Sequence, residues 1–337
     1  MYLSISKKIL AWYQKHKRDL PWRVYRSEKD RHYRVLLSEF MLQQTQVKTA
    51  IPYFNNFYKK VNNLEKLASL SESKILRLWE GLGYYRRARN LLKSARILKK
   101  KYKSILPSNY EELIQLPGVG DYTAKAILAI AFDKSEIGID GNVERVVSRI
   151  IKKKNKKIIF KEVSKFKVKK KSSFLMQGFM EIGATICKPA KPLCELCPIN
   201  KFCKSYKNFS FLLKKNTINK KNEKFFIGFI LDQKNKLLLR NEKNFGPLKG
   251  FINIPLFKKK GQLSSILKNI SLKKIKYKKI KVLKIPISNF TANISLYEIS
   301  DIGKIKSEFF YRKTRELKNF FISSFLKKIL NSSGIKI

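Results

Sequence analysis

The chain has 337 residues, with 75 Lys and Arg against 24 Asp and Glu and a formal charge of +51. That length suits two domains with cores of their own; no run approaches the roughly 18 apolar residues that cross a bilayer, and the Lys-rich N-terminus lacks the apolar stretch of a signal peptide, so the expectation is a cytoplasmic protein. Self-repulsion on this scale is tolerated mainly when polyanions neutralise it, which makes nucleic acid the first partner to consider, although Lys, Ile, Asn and Phe richness spread along the whole chain also fits AT-biased coding.

The first 22 residues read as an amphipathic helix leading into Leu-Pro-Trp-Arg, with Trp22 and Arg23 at its end. The stretch VYRSEKDRHY that follows reads as a surface loop. Val35–Val47 is helical in pattern, and its apolar run is interrupted by one carboxylate, so that Glu39, Gln43 and Gln46 share a stripe at i, i+4 and i+7. Helical spacing continues over Leu64–Leu82, Ala88–Lys101, Thr123–Phe132 and Val143–Ile151. LPGVGDYTAKAI places Gly118 and Gly120 in a turn that opens a helix, where exposed backbone N–H groups hold an anion and glycine lets a phosphate approach closely. In isolation such a turn is as well explained as a plain helix connection. Asp140, followed by Gly141 and Asn142, reads first as the N-cap of the helix after it.

Four cysteines crowd into 17 residues: Cys187, Cys194, Cys197 and Cys203, at C-x6-C-x2-C-x5-C. Four thiolates so placed can wrap one closed metal centre, and Pro189, Pro192 and Pro198 stiffen the loop. Zinc sites usually pair two C-x2–4-C knuckles and only one is present, which favours a 4Fe–4S cluster with four-thiolate zinc as the alternative. Lys188, Lys191 and Lys201 suit phosphate contacts beside it. Residues 206–224 are polar and lysine-rich, a linker. Beyond them the texture becomes strand-like: Phe225–Asp232 and Lys236–Asn241 flank a short turn like a hairpin, Gly261–Ile270 looks helical, Lys281–Ile287 and Ala292–Ile299 are strand-like, and Leu317–Leu330 closes as a helix. The expected fold is a mainly α domain over residues 1–205, including the cysteine loop, and a small α+β domain over residues 225–337.

Together LSEFMLQQTQV, GLGYYRRARNL, LPGVGDYTAKAI, GIDGNVERV and the cysteine spacing resemble the helix-hairpin-helix DNA glycosylases, and within them the MutY-type adenine DNA glycosylase family. The five motifs lie in register across residues 35–203. The resemblance implies a helical glycosylase domain with a 4Fe–4S cluster on the four cysteines and a Nudix-like C-terminal domain that inspects the opposite strand. It also implies a monomer that flips adenine from a mispair with 8-oxoguanine or guanine in double-stranded DNA and cuts its N-glycosidic bond. Glu39 matches the general acid, with Leu36, Phe40 and Leu42 around it raising its pKa; Asp140 matches the carboxylate that stabilises an oxocarbenium-like state. Gln43, Gln44 and Tyr84 match the wedge inserted where the base leaves the stack. Trp22, Arg23, Tyr85, Gly118, Gly120, Tyr122 and Asn142 complete the matched DNA- and base-binding set.

Tyr122 stands where endonuclease III-like relatives carry a lysine nucleophile, which points to hydrolysis without lyase chemistry. Two departures stand out. No Asp or Glu lies between Lys243 and Tyr297, so the C-terminal domain lacks the carboxylates of a Mg²⁺-dependent Nudix hydrolase and is expected only to bind. Ser288 and Asn289 stand where the family has a Ser-His that reads 8-oxoguanine. The competing readings are an endonuclease III-like glycosylase of other base specificity and a DNA-binding protein whose catalysis has decayed. The paired carboxylates Glu39 and Asp140 speak against the second.

Overall fold

Eleven helices and several single turns carry residues 1–206 of a computed structural model, which describes residues 1–206, 221–230, 236–241, 252–257, 276–287, 290–300, 309–313, 316–317 and 322–332. They are α1 (Tyr2–His16), α2 (Glu28–Leu42), α3 (Val47–Lys60), α4 (Leu64–Ser69), α5 (Glu72–Leu78), α6 (Arg86–Tyr102), α7 (Tyr110–Ile114), α8 (Asp121–Phe132), α9 (Gly141–Ile151), α10 (Lys156–Val163) and α11 (Ser172–Glu181). The chain divides into two compact units, Met1–Asn216 and Thr217–Ile337. Among the described residues, no helix is long and apolar enough to cross a membrane.

α2 is the spine of the first unit. It packs against α3, α6 and α8, and every residue from Tyr33 to Met41 is buried. α1 lies on α11 so closely that a Cβ at Gly178 would come within 2.6 Å of the Ile9 side chain. This contact joins the start of the unit to its last long helix, and Ile5, Ile9, Met176 and Phe179 share one core there.

The structure ends two predicted helices early. The stripe of Glu39, Gln43 and Gln46 does not exist, because α2 stops at Leu42, Gln44 takes φ of 56°, and Gln46 is the N-cap of α3. The cause is Arg87, whose buried guanidinium donates to the carbonyls of Phe40, Met41 and Gln43, and of Leu82 and Gly83. A helix end whose carbonyls are satisfied this way needs no further turn. Burial holds the Arg87 guanidinium down at about 10. Arg87→Met is therefore expected to strand several buried carbonyls and cost at least about 3 kcal/mol in equilibrium urea unfolding.

Leu64–Leu82 is likewise two helices, α4 and α5, broken where Ser71 accepts the Lys74 N–H and caps α5. The segment VYRSEKDRHY is a loop only to Ser27; Ser27 caps α2 at Asp30, and the rest is helix.

The second unit has two sheets, of order β4-β1-β6-β5 and β3-β2-β7, from β1 (Lys221–Ile230), β2 (Lys236–Asn241), β3 (Ile252–Asn253), β4 (Leu256–Phe257), β5 (Lys276–Ile287), β6 (Phe290–Ser300) and β7 (Phe309–Lys313). Strand β1 begins inside the segment read as linker. The predicted hairpin of β1 with β2 is not formed: β1 pairs parallel with β6, Phe225 opposite Ile294, and β2 pairs with β7. An unbroken apolar run suits an interior strand flanked on both edges, and β1 has that position between β4 and β6. Strands β5 and β6 form the antiparallel hairpin instead. The terminal helix, α12 (Ser324–Ser332), starts later than Leu317. Leu237, Leu239, Ile285, Ile294 and Leu296 of both sheets share a core with Phe325, Leu326 and Ile329 of α12. Ser288, Asn289 and the predicted helix 261–270 lie outside the described residues.

Candidate active site

Glu39 occupies the last turn of α2 and is 4% exposed. Burial pushes its carboxyl up to about 7; the Tyr122 hydroxyl bonded to it acts the other way, and the nearby Asp140 charge adds to the rise. A carboxyl so placed holds its proton near neutral pH, as a general acid must. Tyr122 sits in the first turn of α8, directly after the Pro-Gly-Val-Gly turn. Its phenol is held well above the ordinary range by burial, then by the charges of Glu39 and Asp140. Gly138 lets the chain pass beneath this ring, since a Cβ there would lie 2.7 Å from the Tyr122 carbonyl oxygen and 3.0 Å from the ring.

Asp140 is the N-cap of α9. One carboxylate oxygen accepts the N–H of Asn142 at 2.9 Å and of Val143 at 2.7 Å, and the other accepts the Asn142 side-chain amide at 2.9 Å. Both carboxylate oxygens thus accept N–H donors at the positive end of α9, which is the geometry of the cap read from the sequence. Both acids act on the Tyr122 phenol, Glu39 through a hydrogen bond and Asp140 through its charge.

A cavity of about 180 Å³ opens beside them. Trp22, Arg23, Glu39 and Asn142 line it, and Asp140 stands behind Asn142 without lining it. The rest of the matched set forms a second group. Gln43 donates to the Gly118 carbonyl at 3.1 Å, tying the end of α2 to the glycine turn. Tyr84, with φ of 48°, is 42% exposed and lies near the Arg87 guanidinium. Tyr85 is buried, with its hydroxyl accepting the Gly81 N–H, a packing position. Gly118, with φ of +86°, leaves no room for a side chain: a Cβ would meet Phe40 at 2.8 Å and Asn90 at 2.9 Å.

Sequence reading missed the far wall of the cavity. Glu181, 1% exposed, accepts from Arg18 at 2.7 and 3.1 Å and from Arg23 at 2.7 Å. The Arg23 Nε donates to Gln177 at 2.7 Å, and the Gln177 amide nitrogen donates to Ser173. Gln177 and Glu181 stand at i and i+4 in the apolar run SSFLMQGFME of α11, the same polar interruption that marks Glu39.

The four cysteines line one small cavity of about 30 Å³ with Ile150, Ile182, Ile186 and Ile199. Burial pushes the Cys197 thiol up to about 12. Arg149 donates to the Cys187 Sγ at 3.2 Å and to the carbonyls of Lys188 and Pro189. Arg145 donates to the Cys187 carbonyl at 2.8 Å and to the Asn142 Oδ1 at 2.7 Å, so one guanidinium joins the cysteine loop to the partner of Asp140.

The profile described as "HhH-GPD superfamily base excision DNA repair protein" matches residues 37–169. An adenine DNA glycosylase of Buchnera aphidicola subsp. Baizongia pistaciae is 39% identical over 279 residues, covering 79% of this chain and 78% of that one. The adenine DNA glycosylase of Homo sapiens is 40% identical over 216 residues, covering 58% of this chain and 38% of that one. Among solved structures, a thermostable thymine-DNA glycosylase superposes with a TM-score of 0.55 at 28% identity, covering 61% of this chain and 97% of its own. A trapped endonuclease III–DNA covalent intermediate shares the fold, with a TM-score of 0.52 at 22% identity, over 61% of this chain and 95% of its own. At this identity and coverage, the chain belongs to the adenine DNA glycosylase family of base excision repair enzymes.

Proposed function

We propose that the cavity receives adenine swung out of duplex DNA where it is mispaired with 8-oxoguanine or guanine, and that the enzyme hydrolyses its N-glycosidic bond to leave an abasic site. The observation that carries this reading is the contrast between Glu39, buried and raised to about 7, and Asp140, held on three N–H donors. Glu39 gives its proton to N7 of the base, the C1′–N9 bond breaks with its electrons going to the base, and the Asp140 carboxylate stabilises the positive sugar. Water then adds to C1′ and returns a proton to Glu39.

Gln177 supports adenine as the base. Arg23 can only donate, so the Gln177 oxygen faces it, and the amide nitrogen is engaged by Ser173. What remains is an acceptor, which suits the exocyclic amine of adenine and repels the carbonyl of guanine. Gln43, Gln44 and Tyr84 fill the gap left in the stack, and the Gly118–Gly120 turn grips a phosphate.

The cysteines fit a 4Fe–4S cluster. All four thiols line one cavity, and the C-x6-C-x2-C-x5-C spacing, with a single C-x2-C knuckle, supports a cluster over a four-thiolate zinc site. Cys187, Cys194, Cys197 and Cys203 would hold the cluster, which would supply a rigid, closed anchor for the loop that carries Lys188, Lys191 and Lys201. Purified protein is expected to carry about four irons per chain with visible charge-transfer absorbance; colourless protein holding one zinc contradicts this. The second unit is proposed to be the Nudix-like domain that inspects the opposite strand, with Ser288 and Asn289 at the positions matched to 8-oxoguanine recognition, and the enzyme to work as a monomer in the cytoplasm.

The test is a single-turnover assay on duplexes with A opposite 8-oxoguanine, A opposite G, and oxidised pyrimidines. Adenine release from the first two with no borohydride-trapped adduct is expected, because Tyr122 supplies no amine. Release of an oxidised pyrimidine with a trapped adduct refutes the proposal in favour of endonuclease III-like chemistry.

A further inference from the structure

We infer that Tyr25, half-exposed on the rim of the cavity that holds Glu39, is a stacking wall for the extruded purine and helps set how much of the base is held in place for excision. This rests on the proposed reading of the cavity as the base site.

Tyr25 belongs to the four-residue connector Val24–Ser27, between the Pro21–Arg23 turn and α2. The connector is on the surface, yet both ends are tied. The Arg26 N–H donates to Asp30 Oδ2 at 2.9 Å, Ser27 Oγ accepts the Asp30 N–H at 3.2 Å, and Arg34 bridges Asp30 Oδ1 at 2.8 Å and the Pro21 carbonyl at 2.7 Å. A side chain carried on such a segment is positioned before any ligand arrives.

Four aromatic side chains line the cavity: Tyr13, Trp22, Tyr25 and Phe174. Tyr13 and Trp22 are 1% and 8% exposed, so their rings are already covered by protein. Phe174 is flanked by the edge of Tyr13 at 5.5 Å and by Lys17 Nζ at 5.5 Å. Tyr25 is 48% exposed. The Arg31 guanidinium lies 5.5 Å from its ring centre and is itself fixed by two N–H groups on the Ile130 carbonyl, at 2.9 and 2.5 Å. A half-exposed aromatic ring lining the same cavity as a buried acid, with a fixed cation against it, has the properties of a stacking platform. A purine π-face is the chemistry that covers it.

Stacking of this kind acts on the extrusion equilibrium, whereas duplex affinity comes mainly from phosphate contacts. Tyr25→Ala is therefore expected to lower the single-turnover rate of adenine release at saturating enzyme by about tenfold, with the duplex Kd unchanged within about twofold. Tyr25→Phe keeps the ring and is expected to stay within about twofold of the parent. An unchanged rate for Tyr25→Ala, an equal loss for Tyr25→Phe, or a loss appearing only in Kd overturns the inference while leaving the base site intact. Failure of the parent enzyme to release adenine from any duplex overturns the underlying reading instead.

Discussion

Glu39→Gln is expected to lower single-turnover adenine release by about a hundredfold or more, the range lost when a positioned general acid is removed. The side chain keeps its shape and can still accept the Tyr122 hydroxyl, so the loss reports the missing proton rather than a collapsed cavity. The same substitution is expected to stabilise the fold at alkaline pH. The folded carboxyl is raised to about 7 from its ordinary value of 4.5, so the folded state binds the proton more tightly than the unfolded chain. Stability from this group is complete below about 4.5, falls between the two values, and is lost above about 7. At pH 8 the ionised, buried glutamate thus weakens the fold by roughly 3 kcal/mol, which glutamine avoids. A variant nearly dead in catalysis yet more resistant to urea at pH 8 identifies an acid kept buried for function. A variant equally stable and equally active identifies a packing residue.

Asp140→Asn separates the two duties of the second acid. Asparagine caps helices as well as aspartate does, so α9 and the fold should hold within a few tenths of a kcal/mol. It carries no charge, and the positive sugar that develops as the bond breaks loses its counter-ion. A fall in single-turnover rate of about a hundredfold or more is expected, with duplex Kd within about threefold of the parent. Asp140→Ala should lose the cap as well, about 1 kcal/mol of stability, with no further loss of rate. If Asp140→Asn kept its rate while Asp140→Ala lost stability, Asp140 would be a cap and nothing more.

Glu39 and the four cysteines were legible because each broke a local rule, a carboxylate inside an apolar helix and four thiols in one short loop. Asp140 was legible as a cap, whereas the charge role proposed for it rests on Tyr122 and Glu39, which come within electrostatic reach of it only in the folded chain. The polar stripe of Glu39, Gln43 and Gln46 was a misreading. Helical period alone cannot reveal a distant Arg87 that satisfies the carbonyls of Phe40, Met41 and Gln43 and so ends α2. The split between α4 and α5 was nearer to hand, since Ser71 is a cap residue in the middle of the periodic run. Gln177 and Glu181 carried the same signal as Glu39 and were passed over; their partners Arg23 and Arg18 lie more than 150 residues upstream, at sequence separations of 154 and 163. The β1–β2 hairpin failed because a short connection is compatible with two strands that belong to different sheets, and the choice rests with β6 and β7.

The central claim is that the proton on Glu39 drives the reaction. The most direct measurement is the single-turnover rate of adenine release against pH for the parent enzyme and Glu39→Gln. The parent rate should fall as pH rises through about 7, where the carboxyl loses its proton, and the residual rate of the variant should show no such step. A parent rate that stays level from pH 5 to 9, or the same step in both proteins, contradicts the account.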